Sequence, residues 1–116
     1  MKILIAPDDA EYRKSLEEVL EGGCHTIITA DDGAAAILSY RENNNIDLVI
    51  TDYNMPKKNG LMVIQEIREI QPKVRIWLVS NAMNSEVKNL AIKLGADKAM
   101  QKTELEKYLK SYLREL

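Results

Sequence analysis

Asp47-Leu48-Val49-Ile50-Thr51, followed by the polar run Asp52-Tyr53-Asn54-Met55-Pro56-Lys57-Lys58-Asn59 and then Gly60, is the stretch on which the fold turns. Its first five residues are largely apolar and β-branched and lack helical spacing, as expected of a buried strand. The next eight are polar and contain a proline, so they read as a loop. From Gly60 to Ile70 the spacing of Leu61, Ile64 and Ile67 predicts a helix with those residues inward, closed by Gln71-Pro72. The unit is therefore strand, polar loop, amphipathic helix.

The same unit recurs on both sides. Ile3 to Ala6 reads as a first strand, and Ala10 to Glu21 as a helix with Leu16, Val19 and Leu20 inward, ended by Gly22-Gly23. His25 to Thr29 is a β-branched second strand, and Gly33 to Glu42 a helix broken by Asn43-Asn44-Asn45. Beyond Pro72, Val74 to Val79 predicts a fourth strand and Ser85 to Leu94 a fourth helix with Gly95 as its cap. Asp97 to Gln101 gives a fifth strand and Thr103 to Glu115 a last helix. Five strands alternating with five helices is the pattern of an α/β domain, a parallel sheet wrapped by helices.

Composition sets the outer limits. A chain of 116 residues, 46% apolar and 29% charged, is expected to be one globular domain spanning residues 1–116. With 16 Lys and Arg against 18 Asp and Glu the net charge is −2, which removes nonspecific polyanion binding, and direct nucleic-acid binding is not expected. No apolar run approaches the roughly 18 residues of a membrane span. The acidic start, Pro7-Asp8-Asp9, arrives too early for a secretory signal, so a cytoplasmic protein is expected. A lone Cys24 cannot pair internally, and one His with it cannot build a zinc site.

In an open parallel sheet, ligands bind beyond the carboxyl ends of the strands, where the strand order reverses. The residues in those positions are Asp8 and Asp9 after strand one, Asp52 after strand three, Ser80 after strand four and Lys102 after strand five. Clustered carboxylates repel one another, and a hard divalent cation relieves that repulsion. Lys102 and Ser80 suit an anion such as a phosphoryl group. Taken singly, each residue has a plainer role. Asp8 with Glu11 fits a capping box, Asp52 a turn, Ser80 a backbone hydrogen bond, and Lys102 a solvated charge. Their joint placement after four different strands favours a site.

On these residues the chain resembles the receiver domains of two-component response regulators. The likeness runs through Asp8, Asp52-Tyr53-Asn54-Met55-Pro56 with Gly60, Ser80, and Lys102 after Gly95-Ala96-Asp97, and it covers the whole chain. The resemblance implies a flavodoxin-like, doubly wound five-stranded parallel sheet of order 2-1-3-4-5 with five helices. It implies that Asp52 accepts a phosphoryl group from the phosphohistidine of a histidine kinase or histidine phosphotransfer protein. Asp8, Asp52 and the backbone carbonyl of Asn54 would ligate Mg²⁺, Ser80 would hydrogen-bond the phosphoryl group, and Lys102 would pair with it. A downstream protein would dock on the face of helix four, strand five and helix five, where Tyr108 and Tyr112 stand among Lys107, Lys110 and Arg114.

Four positions depart from the family pattern. Pro7 stands where the first acid of a pair is usual, unless a one-residue slip lets Asp8 and Asp9 serve together. Asn81 replaces a smaller residue after Ser80, Ala99 lies where many receivers carry a switch aromatic, and Thr103 follows Lys102 in place of proline. The expectation is a stand-alone phosphoacceptor, not an enzyme beyond catalysing its own phosphotransfer and dephosphorylation. The alternative is a pseudo-receiver that binds partners without phosphate. A small aspartyl phosphatase is disfavoured because Asn54 holds the place of its second acid. A flavin protein is disfavoured because no Gly- or Ser/Thr-rich loop follows strand one.

Overall fold

The computed structural model describes residues 1–7, 10–21, 23 and 25–115, with the backbone alone for residues 11 and 12. In chain order the elements are β1 (Lys2–Ala6), α1 (Ala10–Val19), β2 (Thr26–Thr29), α2 (Gly33–Glu42), β3 (Leu48–Asp52), α3 (Gly60–Ile70), β4 (Arg75–Ser80), α4 (Ser85–Leu94), β5 (Lys98–Gln101) and α5 (Leu105–Arg114). A short 3₁₀ turn, Lys102–Glu104, separates β5 from α5. All four strand pairings are parallel and the order is β2-β1-β3-β4-β5. The strand order reverses at β1, and the adjoining edge of β3 ends on Asp52.

Strand residues alternate between two cores, because successive side chains leave a strand on opposite faces. Leu4, Val49, Ile76, Leu78 and Ala99 pack toward α2, α3 and α4, against Ile37, Val63, Ile64 and Ile67. Ile3, Ile5, Leu48, Ile50, Trp77 and Met100 pack toward α1 and α5, against Leu16, Leu20, Leu105 and Leu109. Trp77, 1% exposed, is a core residue as its apolar strand suggested.

The helix limits follow from local chemistry. Asp32, Asn59 and Asn84 each accept a backbone N–H at the start of α2, α3 and α4, from Ala35, Met62 and Val87. Gly95 closes α4 at φ 121°, a conformation that a side chain resists. Elsewhere the expectations shift. Helix α1 stops at Val19, with Leu20 and Glu21 in a turn, so the expected end at Glu21 is two residues late. Val63 is fully buried on α3 while Leu61 is only half-buried, because the sheet-facing stripe passes through 60, 63, 64 and 67. The last helix begins at Leu105 and not at Thr103, since residues 102–104 wind more tightly. Strands β3 and β4 extend through Asp52 and Ser80 themselves.

Candidate functional site at the carboxyl edge of the sheet

Asp52 ends β3, Ser80 ends β4, and Lys102 opens the 3₁₀ turn after β5, so three strands deliver three polar side chains to one edge. The Nζ of Lys102 lies 3.4 Å from Oδ2 of Asp52. These side chains are 18% and 16% exposed, so the pair is partly shielded and its attraction exceeds that of a solvated surface pair. Ser80 is 4% exposed, and its Oγ accepts the backbone N–H of Ala82 at 3.1 Å. That bond leaves the hydroxyl proton available to a further acceptor. An acid, a hydroxyl and a cation at one edge suit an incoming anion bonded to the acid.

The backbone around Asp52 is held from several sides. The N–H of Tyr53 donates to the carbonyl of Val79 at 2.9 Å, carrying the β3–β4 pairing one residue past the strand. Gly60 N–H donates back to the carbonyl of Tyr53 at 2.9 Å, closing the β3–α3 loop. A Cβ on Gly60 would collide with the Asp52 carbonyl and with Leu78, so only glycine lets α3 start this close to the acid. Met55 packs on the core and its sulfur lies 3.9 Å from the Thr51 hydroxyl, which fixes the turn beyond Asn54. Outside the loop stands the start of α2. Gly33 admits the Lys58 carbonyl where a Cβ would clash, and Asp32 lies 3.5 Å from Lys57, whose φ is 69°. Lys58 in turn forms a two-pronged pair with Glu66 at 2.8 and 2.9 Å.

Of the expected site residues, Asp52, Ser80 and Lys102 converge on this edge. Asn54 is exposed in the loop just beyond. Asp8 and Asp9, expected as metal ligands, lie outside the described residues, as does the capping box drawn through Asp8 and Glu11. Pro7 has no side-chain oxygen. Among the described residues no group of three His, Cys, Asp or Glu side chains that could hold a metal ion occurs. The donor chemistry present, a carboxylate and loop carbonyls, is hard oxygen and fits a cation that keeps several waters. Tyr108 and Tyr112 are half-buried packing. The Tyr112 ring meets Trp77 edge-on at 5.4 Å with Arg75 over it at 5.6 Å, and Lys98 lies 5.0 Å from the Tyr108 ring.

Sequence reasoning did not find Gln101. Its Nε2 donates to the carbonyl of Met83 at 3.2 Å, joining the end of β5 to the β4–α4 loop. Its position immediately before Lys102 was visible; its register partner, Ser80, was not.

Fold and edge together define an open, doubly wound α/β domain with an acid–lysine pair beside its switch point. A family model for the response regulator receiver domain matches residues 3–114, and the chain belongs to that family. The aerobic respiration control protein ArcA of Escherichia coli K12 is 37% identical over 97 residues, covering 82% of this chain and 39% of ArcA. The chemotaxis protein CheY of Bacillus subtilis is 32% identical over 96 residues, covering 82% of this chain and 79% of that CheY. The chain therefore spans well under half the length of ArcA. Among solved structures, a response regulator receiver domain protein from Clostridium thermocellum superposes with a TM-score of 0.79 at 26% identity, covering 98% of this chain and 94% of that one. A chain of the CheX-CheY-BeF3-Mg complex from Borrelia burgdorferi gives 0.82 at 24% identity, covering 97% and 89%, a likeness of fold. Among the described residues no helix is long and apolar enough to cross a membrane.

Proposed function

We propose that this receiver domain accepts a phosphoryl group on Asp52 from the phosphohistidine of a histidine kinase or histidine phosphotransfer protein, as one step of a phosphorelay. The observation that carries the reading is the Lys102 ammonium at 3.4 Å from the Asp52 carboxylate, with Ser80 ending the neighbouring strand. In the transfer, a carboxylate oxygen of Asp52 forms the new P–O bond as the donor's P–N bond breaks. The electron pair leaves on the imidazole nitrogen, which takes up a proton from water. Such transfers depend on alignment and charge neutralisation. Lys102 would balance charge on the phosphoryl oxygens, and the Ser80 hydroxyl would donate its proton to one of them. Buried Gly60 and the Tyr53–Val79 hydrogen bond keep the acid in place.

A divalent cation, Mg²⁺ in the first instance, would be held by Asp52, the Asn54 carbonyl and Asp8, with Asp9 as a further donor. Bound there, it would neutralise negative charge between the acid and the donor. Apart from this self-phosphorylation and its reversal, no enzymatic role is proposed. A downstream protein would read the α4, β5 and α5 face.

Pro7 supports a second reading, a pseudo-receiver that signals without phosphate, because the position supplies no side-chain oxygen. One experiment separates the two. Incubation with acetyl phosphate and Mg²⁺ followed by intact mass should show the gain of one acid-labile phosphoryl group. No gain under conditions where the fold is intact would favour the pseudo-receiver.

A further inference from the structure

Ser80 and Gln101 are register partners on β4 and β5, so their side chains rise from the same face of the sheet, side by side. Each grips the same short loop between β4 and α4. Ser80 Oγ accepts from Ala82 N–H at 3.1 Å, and Gln101 Nε2 donates to the Met83 carbonyl at 3.2 Å. The following residue, Asn84, caps α4 through Val87 N–H at 2.8 Å, so the loop and the start of α4 are continuous in their hydrogen bonding. On the other side, Gln101 N–H donates to Glu104 Oε1 at 3.3 Å, and Lys102, the next residue, reaches Asp52. Two positions earlier on the same face, Ala99 presents only a methyl, buried opposite Leu78. It has no rotamer with which to report events at the edge.

We propose that Gln101 is the positioning residue that couples the acid edge to α4, holding the β4–α4 loop in its resting place through the Met83 carbonyl. The inference rests on the phosphoacceptor role of Asp52 and names how that site is regulated. A phosphoryl group on Asp52 draws the Ser80 hydroxyl toward an oxygen, and one of the two grips on the loop turns. The Met83 carbonyl then leaves Gln101, and α4 moves with its cap. The switch is a hydrogen bond that opens between strand and loop, with no aromatic side chain taking part. Differential contacts in the two states are what such a shift requires.

The test compares wild type with Gln101→Leu, which keeps the shape and loses the donor, and with Gln101→Asn, which keeps the amide but shortens its reach. Without any ligand, amide exchange at residues 82–85 should quicken about tenfold in both variants, with β3 unchanged, as expected for loss of one local tether. Wild-type exchange rates in the variants would overturn the tether. In a second arm, beryllofluoride and Mg²⁺ are added to wild type, the beryllofluoride group standing in for the phosphoryl group. Resonances of residues 81–94 should move toward their positions in ligand-free Gln101→Leu. Shifts at Tyr53 and Lys102 with 81–94 silent would overturn the coupling alone. No response at Tyr53 and Lys102 would remove the phosphoacceptor role, and the coupling with it.

Discussion

At the amino edge of the sheet, Asp47 and Asp97 each exchange two hydrogen bonds with the first turn of pairing on a neighbouring strand. Asp47 accepts from Lys2 N–H at 2.7 Å and donates its own N–H to the Lys2 carbonyl at 2.8 Å. Asp97 does the same with Ile76, at 2.9 and 2.8 Å. At the carboxyl edge Asp52 instead faces the Lys102 ammonium across the gap between β3 and the turn after β5. One residue type thus serves opposite ends. An aspartate placed before a strand satisfies its neighbour's backbone, and one placed at a strand's end is presented to whatever approaches the crevice. Arg68 completes the contrast, with its guanidinium bonded to the carbonyls of Gly95 (2.6 and 3.1 Å), Val74 (2.7 Å) and Gln71 (3.2 Å). At the other edge, among the described residues, the β4–α4 loop is held by single hydrogen bonds from Ser80 and Gln101, and no guanidinium gathers several carbonyls. The parallel fold is stapled at one end and left adjustable at the other.

The contrast can be broken most sharply at its strong end. Arg68→Ala removes several charge-assisted bonds to carbonyls and should cost about 3 kcal/mol of stability. Urea unfolding reads the loss, and phosphoryl uptake per folded molecule should stay at the wild-type level. Loss of uptake with stability intact would erase the division between the edges.

Gly60→Ala carries disturbance into the functional edge. Its methyl must displace both the Asp52 carbonyl and Leu78, at a cost of about 2 kcal/mol. Unlike Arg68→Ala, it should also slow uptake from acetyl phosphate, because the displaced backbone belongs to Asp52, the proposed acceptor. Equal uptake rates would show that the backbone contact does not position the acid.

The smallest effect concerns pH. The Ala35 N–H holds the Asp32 carboxyl below its ordinary value, with Lys57 adding to the same direction against some desolvation. A carboxylate lowered on folding contributes stability above its unfolded value and loses it as pH falls through the folded one. The amino end of α2 should therefore loosen only below the ordinary carboxylate range, under pH 3.8. Amide exchange at Ala35 across pH 5 to 2.5 checks this, and Asp32→Asn should flatten the dependence.

How much of this could be read from the chain varies with the range of the interactions. Helices α2, α3 and α4 fall where their residues predicted, since caps such as Asn59 and Gly95 act within a turn of the helix they bound. The end of α1 and the start of α5 each differ by two residues from the expectation, because Leu20-Glu21 form a turn and Thr103-Glu104 a 3₁₀ turn, whose residue types do not distinguish them from an α-helix. Asp52, Ser80 and Lys102 were legible because strand ends in a parallel sheet all point one way. Gln101, Gly33 and Arg68 were not. Their roles depend on register between strands and on the approach of distant segments, such as Gly33 and Lys58, that no local pattern encodes.

The division of labour between the two edges is tested most directly by one paired measurement, intact mass after acetyl phosphate and Mg²⁺ on Asp52→Asn beside Asp97→Asn. Asp97→Asn, though less stable, should gain one acid-labile phosphoryl group, and Asp52→Asn should gain none. Uptake by Asp52→Asn, or its absence in folded Asp97→Asn, would contradict that division.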